Sequence, residues 1–307
     1  MSQLESDSLS NFLFENADVR GEIVHLDATW KQVLDRHEYP PVLRSLLGEM
    51  MAAAVLLIGT LKFKGRLTLQ LKGDGPVSLG LVECTSDRLL RGLIHWRGDL
   101  GQDAGLTALL GKGVLAITLE QYPQGDQDKA ERYQGIVEVI GDSLAQSLEH
   151  YLQHSEQLET RLWLTADAQA VAGMLLQRMP EQMPTGQRDH DIADEDAWPR
   201  MVHLADTVKD NELLSLSASE IIHRLFNEED VRLFSAVPVA FRCACSRERV
   251  QNTLRILGVD EVHALLLEEG SVKVDCEFCR HHYEFDAVDV AALFTDGVVA
   301  SAPRSPQ

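Results

Sequence analysis

Four cysteines near the C-terminal end are the residues whose spacing is most specific for chemistry. Cys243 and Cys245 flank one alanine, and Cys276 and Cys279 flank two residues. Two close pairs separated by a few tens of residues are typical of a four-thiolate zinc site, in which each pair supplies two sulfurs. The Cys-Ala-Cys half is the less usual one, because one intervening residue leaves little room for a loop that wraps the ion. We predict one zinc ion per chain, bound by all four thiolates in the reduced state.

The same sulfurs could also act as a redox switch. Thiolates around zinc lie about 2.3 Å from the metal and about 3.8 Å from each other, whereas a disulfide bond is about 2.05 Å long. The four sulfurs therefore cannot hold zinc and be paired as disulfides. Zinc binding can contribute roughly 10–16 kcal/mol of apparent folding free energy, which exceeds the stability of a small module. A purely structural zinc ribbon has the same spacing, so both interpretations stay open.

Other candidate residues give weaker signals. His281 and His282 follow Cys279 closely, but four cysteines already fill the positions around a zinc ion. Cys84 ends an apolar run and is predicted to be a buried, inert thiol. No Ser/His/Asp or paired-carboxylate arrangement can be assigned from the sequence, so we predict that the protein is not an enzyme.

Composition excludes several classes of partner. The chain has 307 residues, of which 45% are hydrophobic, and its net charge is −20 from 48 acids against 28 bases. Such a balance argues against a nucleic-acid partner and against binding to anionic membranes. The polar N-terminus has no secretory signal, and the apolar stretch 50–61 is too short to span a bilayer. We expect reduced thiols in a cytoplasmic protein.

Residues 1–179 have the pattern of a mixed α+β domain. A strongly apolar helix is predicted from about Val42 to Leu61, after Pro40-Pro41, and its apolar surface on nearly all sides implies burial against a sheet on more than one face. Further elements are predicted as strands within 11–27 and at 66–72, 76–84, 88–96, 114–121, 133–140, 161–164 and 171–178, and as helices at 29–36 and after a capping Asp142.

Residues 180–232 are predicted to form an acidic helical linker. Twelve acids and three bases lie between Asp189 and Asp230, and Ser217 with Glu220 makes a capping box. The segment has few apolar anchors for its charge, so its helices should depend on docking to neighbouring structure. It is either a solvated linker or a conditionally folded segment whose opening exposes apolar surface around Leu204, Ile221, Ile222, Leu225 and Phe226.

The zinc module is predicted at 233–296, and residues 297–307 are predicted to be a flexible tail. Ser246 should cap a helix that Gly258 ends, and Asp260 should begin a second helix. The strands 271–275 and 282–285 should flank the second cysteine pair, and Asp286 should cap a last helix.

The sequence resembles the 33 kDa chaperonin family, the redox-regulated heat-shock holdases of the bacterial cytoplasm, over nearly its whole length. The resemblance is carried by three groups of residues: Phe241-Arg242-Cys243-Ala244-Cys245-Ser246-Arg247-Glu248-Arg249-Val250, Cys276-Glu277-Phe278-Cys279 with Tyr283-Glu284-Phe285-Asp286, and the upstream segments Gly73-Asp74-Gly75-Pro76, Tyr133-Gln134-Gly135-Ile136-Val137 and Ser155-Glu156-Gln157-Leu158. Glu159 stands where the family often has proline, which affects local loop geometry at most.

The resemblance implies a mechanism. In the family, the reduced form holds zinc on the four cysteines and is inactive. Oxidants form disulfides within each close pair, here Cys243–Cys245 and Cys276–Cys279. The zinc module and the linker then unfold, and the protein binds unfolding clients without ATP and tends to dimerise.

Two other functions remain as alternatives. A thiol–disulfide oxidoreductase could use Cys276 and Cys279, although no thioredoxin-like pattern surrounds them. A zinc-ribbon binding protein could use the small basic patch of Arg242, Arg247 and Arg249, although the net charge disfavours RNA.

Overall fold

The computed structural model describes residues 6–101, 104–123, 131–180 and 196–295. The chain divides into two compact units, Met1–Arg242 and Cys243–Gln307. Both contain helices together with antiparallel strands, so the predicted α+β class is confirmed.

The elements of the first unit alternate between hairpins and helices. Its described strands are β1 (Ser8–Phe14), β2 (Val19–Leu26), β3 (Gly65–Lys72), β4 (Val77–Thr85), β5 (Leu89–Trp96), β6 (Val114–Gln121), β7 (Arg132–Glu138), β8 (Thr160–Ala166), β9 (Val171–Arg178), β10 (Val231–Leu233), β11 (Val237–Pro238) and β12 (Ala240–Phe241). Its described helices are α1 (Ala28–Leu34), α2 (Pro41–Thr60), α3 (Leu106–Leu110), α4 (Leu144–Ser155), α5 (Ala197–Ala205), α6 (Asp210–Ser215) and α7 (Ala218–Phe226).

Two six-stranded sheets form the first unit. The first has the order β10-β1-β2-β9-β8, with β11 also paired to β1. The second has the order β12-β5-β4-β3-β6-β7, and β12 runs parallel to β5. Both sheets gain strands from residues 231–241, which lie far along the chain from their partners.

Helix α2 is the centre of this unit. Pro41 occupies its first turn, where a missing N–H costs nothing. Thirteen of its residues are buried, and it contacts strands of both sheets, which agrees with the predicted burial on more than one face. By length and apolarity alone α2 could cross a membrane, but most of it is buried inside the protein.

The first sheet is buried on both of its faces. Val24 and Leu175 point toward α2, whereas Ile23 and Met174, one position away, point to the opposite side and pack under α5–α7. Double burial explains why β9 reads as a nearly continuous apolar run rather than an alternating one.

Several predicted boundaries are corrected. Ser143, not Asp142, caps α4 and accepts a hydrogen bond from the Gln146 amide at 3.2 Å. The second helix of the predicted zinc module begins at Val259, directly after Gly258, rather than at Asp260. The compact units divide after Arg242, whereas the module was predicted to begin at 233, because residues 231–241 pair with β1 and β5. The predicted flexible tail, 297–307, lies outside the described residues.

The second unit is small. Its described elements are α8 (Arg247–Leu257), α9 (Val259–Glu269), β13 (Val272–Asp275), β14 (His282–Phe285) and α10 (Ala287–Thr295). Ser246 caps α8 and Gly258 ends it, as predicted. Strands β13 and β14 form a hairpin in which Val272 pairs with Phe285 and Val274 pairs with Tyr283.

Candidate metal centre and the covered sheet face

Two short segments position the four cysteines. Cys243 and Cys245 immediately precede the Ser246 cap of α8, whose hydroxyl accepts from the Arg249 amide at 3.2 Å. Cys276 and Cys279 lie in the turn between β13 and β14. That turn is closed by hydrogen bonds from the Cys276 amide to the His281 carbonyl at 2.9 Å and from the Arg280 amide to the Cys276 carbonyl at 2.7 Å. The helix cap and the hairpin thus fix both pairs.

The four sulfurs converge on one point. All four Sγ atoms lie within 4.8 Å of one another. The Cys243–Cys276 sulfurs are 3.6 Å apart, and the Cys245–Cys279 sulfurs are 3.4 Å apart. The thiolates of a zinc tetrahedron are about 3.8 Å apart, so the spacing and the soft donor set fit a four-coordinate metal ion. The structure therefore brings together all four cysteines that the sequence predicted.

The thiols need a positive charge in order to ionise. Burial raises the pKa of the Cys276 thiol and raises that of Cys279 strongly. Partly buried thiolates without a cation are costly, and a metal ion supplies that charge.

Neighbouring side chains complete the site. The Tyr283 hydroxyl donates a hydrogen bond to Cys245 Sγ at 3.2 Å. This hydrogen bond is the main reason that the pKa of the Tyr283 hydroxyl is raised to about 12, so the hydroxyl is protonated at neutral pH. His281 lies edge-on to the Tyr283 ring at 4.6 Å between ring centroids, and His282 Nδ1 lies 2.7 Å from Asp275 Oδ1. Neither histidine belongs to the four-sulfur cluster.

Cys84 lies in the first unit and is fully buried on β4. Burial raises the pKa of its thiol to about 12. The prediction that it is buried is confirmed, and its high pKa makes it a poor nucleophile at neutral pH.

A second functional feature is the apolar sheet face under α5–α7. The residues predicted as apolar anchors, Ile221, Ile222, Leu225 and Phe226, are buried there, and Leu204 is partly buried. Phe226 meets Phe14 edge to face at 5.0 Å between ring centroids, and Phe12 lies 5.7 Å from Phe14.

Gly21 makes room for this aromatic cluster. It pairs with Phe12 across β1 and β2, and a Cβ atom at Gly21 would lie 2.0 Å from the Phe12 ring. Any larger residue would therefore force the Phe12 ring to move. The sequence offered no signal for this close approach, because the two residues meet only through strand register.

Among the described residues, few polar contacts hold the three helices to the sheet. His25 on β2 contacts the Leu214 carbonyl through Nε2 at 3.0 Å. On β8, Trp163 donates from Nε1 to Asp206 Oδ1 at 3.1 Å, and Arg161 forms an ion pair with the same carboxylate at 3.3 Å. Most of the contact is therefore apolar, and it hides a surface that would be adhesive if uncovered.

Comparison with known proteins identifies the family. The family model described as Hsp33 protein matches residues 7–286. The 33 kDa chaperonin of Methylobacillus flagellatus is 49% identical over 295 residues, covering 96% of each chain. The 33 kDa chaperonin of Shewanella oneidensis is 43% identical over 301 residues, covering 98% of this chain and 100% of its own.

A solved structure supports the fold. The crystal structure of the 33 kDa chaperonin of Thermotoga maritima superposes with a TM-score of 0.78 at 19% identity, covering 95% of this chain and 99% of that one. The fold, the four-cysteine cluster and these matches define a chaperone with a thiol-based metal site. The chain belongs to the Hsp33 family, the family of the 33 kDa chaperonins.

Proposed function

We propose that this protein is a redox-regulated, ATP-independent holdase of the cytoplasm. In the reduced state, Cys243, Cys245, Cys276 and Cys279 hold one zinc ion and the protein is inactive. Oxidation forms disulfides, the second unit and helices α5–α7 unfold, and the exposed apolar surface binds unfolding client proteins. The oxidised form is proposed to dimerise, and no nucleic-acid or membrane partner is proposed.

The observation that carries this proposal is the four-sulfur cluster in a unit with very little core. The buried apolar residues of the second unit number seven among its described residues: Leu254, Val262, Val272, Tyr283, Phe285, Val290 and Leu293. A single apolar core in a unit this small rarely contributes more than about 3–5 kcal/mol, and small domains often add a structural metal or disulfides. When bound, zinc supplies the charge that holds four thiolates together and with them the Ser246 cap and the β13–β14 turn.

Oxidation removes the ligands that a metal requires. Disulfides between neighbours in sequence, Cys243–Cys245 and Cys276–Cys279, are the proposed products. In the reduced geometry the contacts of 3.6 Å and 3.4 Å run between the two pairs instead. To form the proposed bonds, the two sulfurs of each sequence pair must approach to about 2.05 Å, which is incompatible with all four binding one ion and breaks the cluster that stabilises the unit.

The client-binding surface is proposed to be the sheet face beneath α5–α7. Residues 196–230 carry eight acids and three bases, and this excess of negative charge opposes the compact packing of the segment. Phe12, Phe14, Ile23, Met174 and Leu176 lie under them on β1, β2 and β9. Release of the helices would present a contiguous apolar face, while the acidic segment and the net charge of −20 keep the opened form soluble.

Aggregation of a heat-unfolded client tests the proposal. Light scattering should be suppressed by the peroxide-treated, zinc-free protein at near-stoichiometric amounts, with and without ATP, and much less by the reduced zinc form. Reduction with dithiothreitol and zinc should restore the inactive state. Cys84→Ala is the matched control and should activate like the parent protein. Equal protection by the reduced and oxidised forms would disprove redox regulation, and sub-stoichiometric turnover of a dithiol substrate would favour the oxidoreductase instead.

A further inference from the structure

Tyr283 is placed at the metal centre by the β13–β14 hairpin. It pairs with Val274, which lies two residues before Cys276. Its ring is packed into the core of the second unit, with 8% of its surface exposed. The hydroxyl projects from that ring to within 3.2 Å of Cys245 Sγ. Because the ring is fixed by packing, the donor is held against the sulfur rather than free to rotate away.

We propose that Tyr283 is a positioning residue that slows the oxidation of Cys245 and so sets the oxidant level at which the switch opens. The inference rests on the proposed redox function and adds a residue that is not a metal ligand. It concerns a hydrogen bond donated to sulfur, and it needs no change in the protonation of Tyr283.

A donated hydrogen bond lowers the reactivity of a thiolate for two reasons. It draws electron density from the sulfur lone pairs, which weakens the attack on an oxidant. The hydroxyl also occupies one direction from which an oxidant could approach Cys245. Hydrogen bonds to ligand atoms commonly tune metal sites in this way.

The step that Tyr283 slows is the first oxidation of Cys245 by hydrogen peroxide. The thiolate attacks one peroxide oxygen, the O–O bond breaks, and an S–O bond forms. With one proton taken up, the products are a sulfenic acid and water, so sulfur loses the two electrons that the peroxide gains. A second cysteine thiolate then attacks the sulfenic sulfur, which forms the disulfide and releases hydroxide.

The test variant is Tyr283→Phe, which removes the hydroxyl and keeps the ring. Ser271→Ala is the matched control, because Ser271 lies beside the same hairpin and donates its hydroxyl to Glu284 Oε1 at 2.6 Å rather than to a sulfur. Both variants are prepared as reduced, zinc-loaded full-length protein. Zinc release is followed with a chromogenic chelator during treatment with hydrogen peroxide, and the oxidation of Cys245 is followed by mass spectrometry.

The expected result is faster zinc release and faster Cys245 oxidation in Tyr283→Phe, by about three- to tenfold, as expected for part of a charge-assisted hydrogen bond. Ser271→Ala should match the parent protein. A second readout replaces zinc by Co²⁺ in the reduced protein. Loss of the hydrogen bond makes the thiolate more electron-rich, so the thiolate-to-cobalt charge-transfer band should move to longer wavelength in Tyr283→Phe only.

Unchanged oxidation rates together with an unchanged charge-transfer band would overturn the inference. Equal acceleration in both variants would also overturn it, because the effect would then reflect loosening of the hairpin. If Tyr283→Phe lowers the folding stability of the protein, the cobalt spectrum at low temperature still tests the inference, because it reports on the folded metal site. Faster oxidation of Tyr283→Phe without client protection by any oxidised form would refute the proposed holdase while leaving this inference standing.

Discussion

Glu22 is a carboxyl buried inside the first unit. Its side chain lies on β2 with 2% of its surface exposed, and among the described residues its Oε2 atom has no hydrogen-bond partner. Burial raises the pKa from its ordinary value of 4.5 to about 8, and nearby Arg20 offsets only part of this effect. Gly59 at the end of α2 leaves the space that the carboxyl occupies, since a Cβ there would lie 2.4 Å from Oε2.

The raised pKa predicts how the stability of the first unit varies with pH. Between about pH 4.5 and pH 8, the folded state keeps a proton on Glu22 that the unfolded state releases. The stabilisation of the folded state by this proton is therefore full below about pH 4.5 and is lost as the pH rises through about 8. Urea denaturation of the reduced protein at pH 5.5 and pH 8 should show lower stability at pH 8. Glu22→Gln should flatten this difference by an amount on the order of a few kcal/mol. The same pH dependence in Glu22→Gln would show that other groups cause it.

Helix α7 is defined by a capping box at its N-terminus, which the sequence shows, and by an apolar contact of Phe226 with the sheet, which depends on the tertiary fold. The Ser217 hydroxyl accepts from the Glu220 amide at 3.3 Å, and Glu220 Oε2 accepts from the Ser217 amide at 2.9 Å. This capping box fixes where the helix begins. Its docking depends on Phe226, which is 2% exposed and packs against Phe14 and Phe12.

Phe226→Ala should therefore open the acidic helices without oxidation. Removal of a buried phenylalanine costs about 3–5 kcal/mol, which is large for helices held by few polar contacts. We expect the reduced, zinc-bound variant to bind a hydrophobic dye, to lose hydrogen-exchange protection at 197–226 and to give partial client protection. His223→Ala, on the exposed side of the same helix, is the control and should stay closed. A closed and inactive Phe226→Ala would contradict the proposed binding surface.

The elements that the sequence predicted are those defined by local patterns. Strands 114–121 and 171–178 and the Ser217 capping box agree with the structure, because turn residues and apolar runs lie next to one another in the chain. The four cysteines converge as predicted, since their spacing itself implies a shared ligand.

The features that were missed depend on long-range pairing. Strand β10 exists because residues 231–233 pair with β1, more than two hundred residues earlier, and three residues alone carry no strand signal. The short helices α3 and α6 were not predicted either, because five or six residues show too little periodicity. The contact between Tyr283 on β14 and Cys245 before α8 joins residues 38 positions apart, so the sequence contained Tyr283 without indicating its role.

At the scale of the whole molecule, the two units differ in what stabilises them. The first unit has an extensive core around α2, built from buried side chains of both sheets. The second has seven buried apolar side chains and a cluster of four sulfurs. A unit that lacks a sufficient apolar core depends on its metal, so loss of the metal should unfold one unit and leave the core of the other intact.

Removal of zinc under reducing conditions separates metal loss from disulfide formation. A strong zinc chelator with excess dithiothreitol should abolish hydrogen-exchange protection across 243–295, because the unit would lose roughly 10–16 kcal/mol of metal binding. Amides of α2 and of β3, β4 and β6 should keep their protection, since their core contains no metal ligand. Cys84→Ala should respond like the parent protein, as Cys84 takes no part in the cluster. Retention of a cooperative melting transition by residues 243–295 after complete zinc removal would show that the small apolar core suffices, and metal-controlled unfolding could not then be the basis of activation.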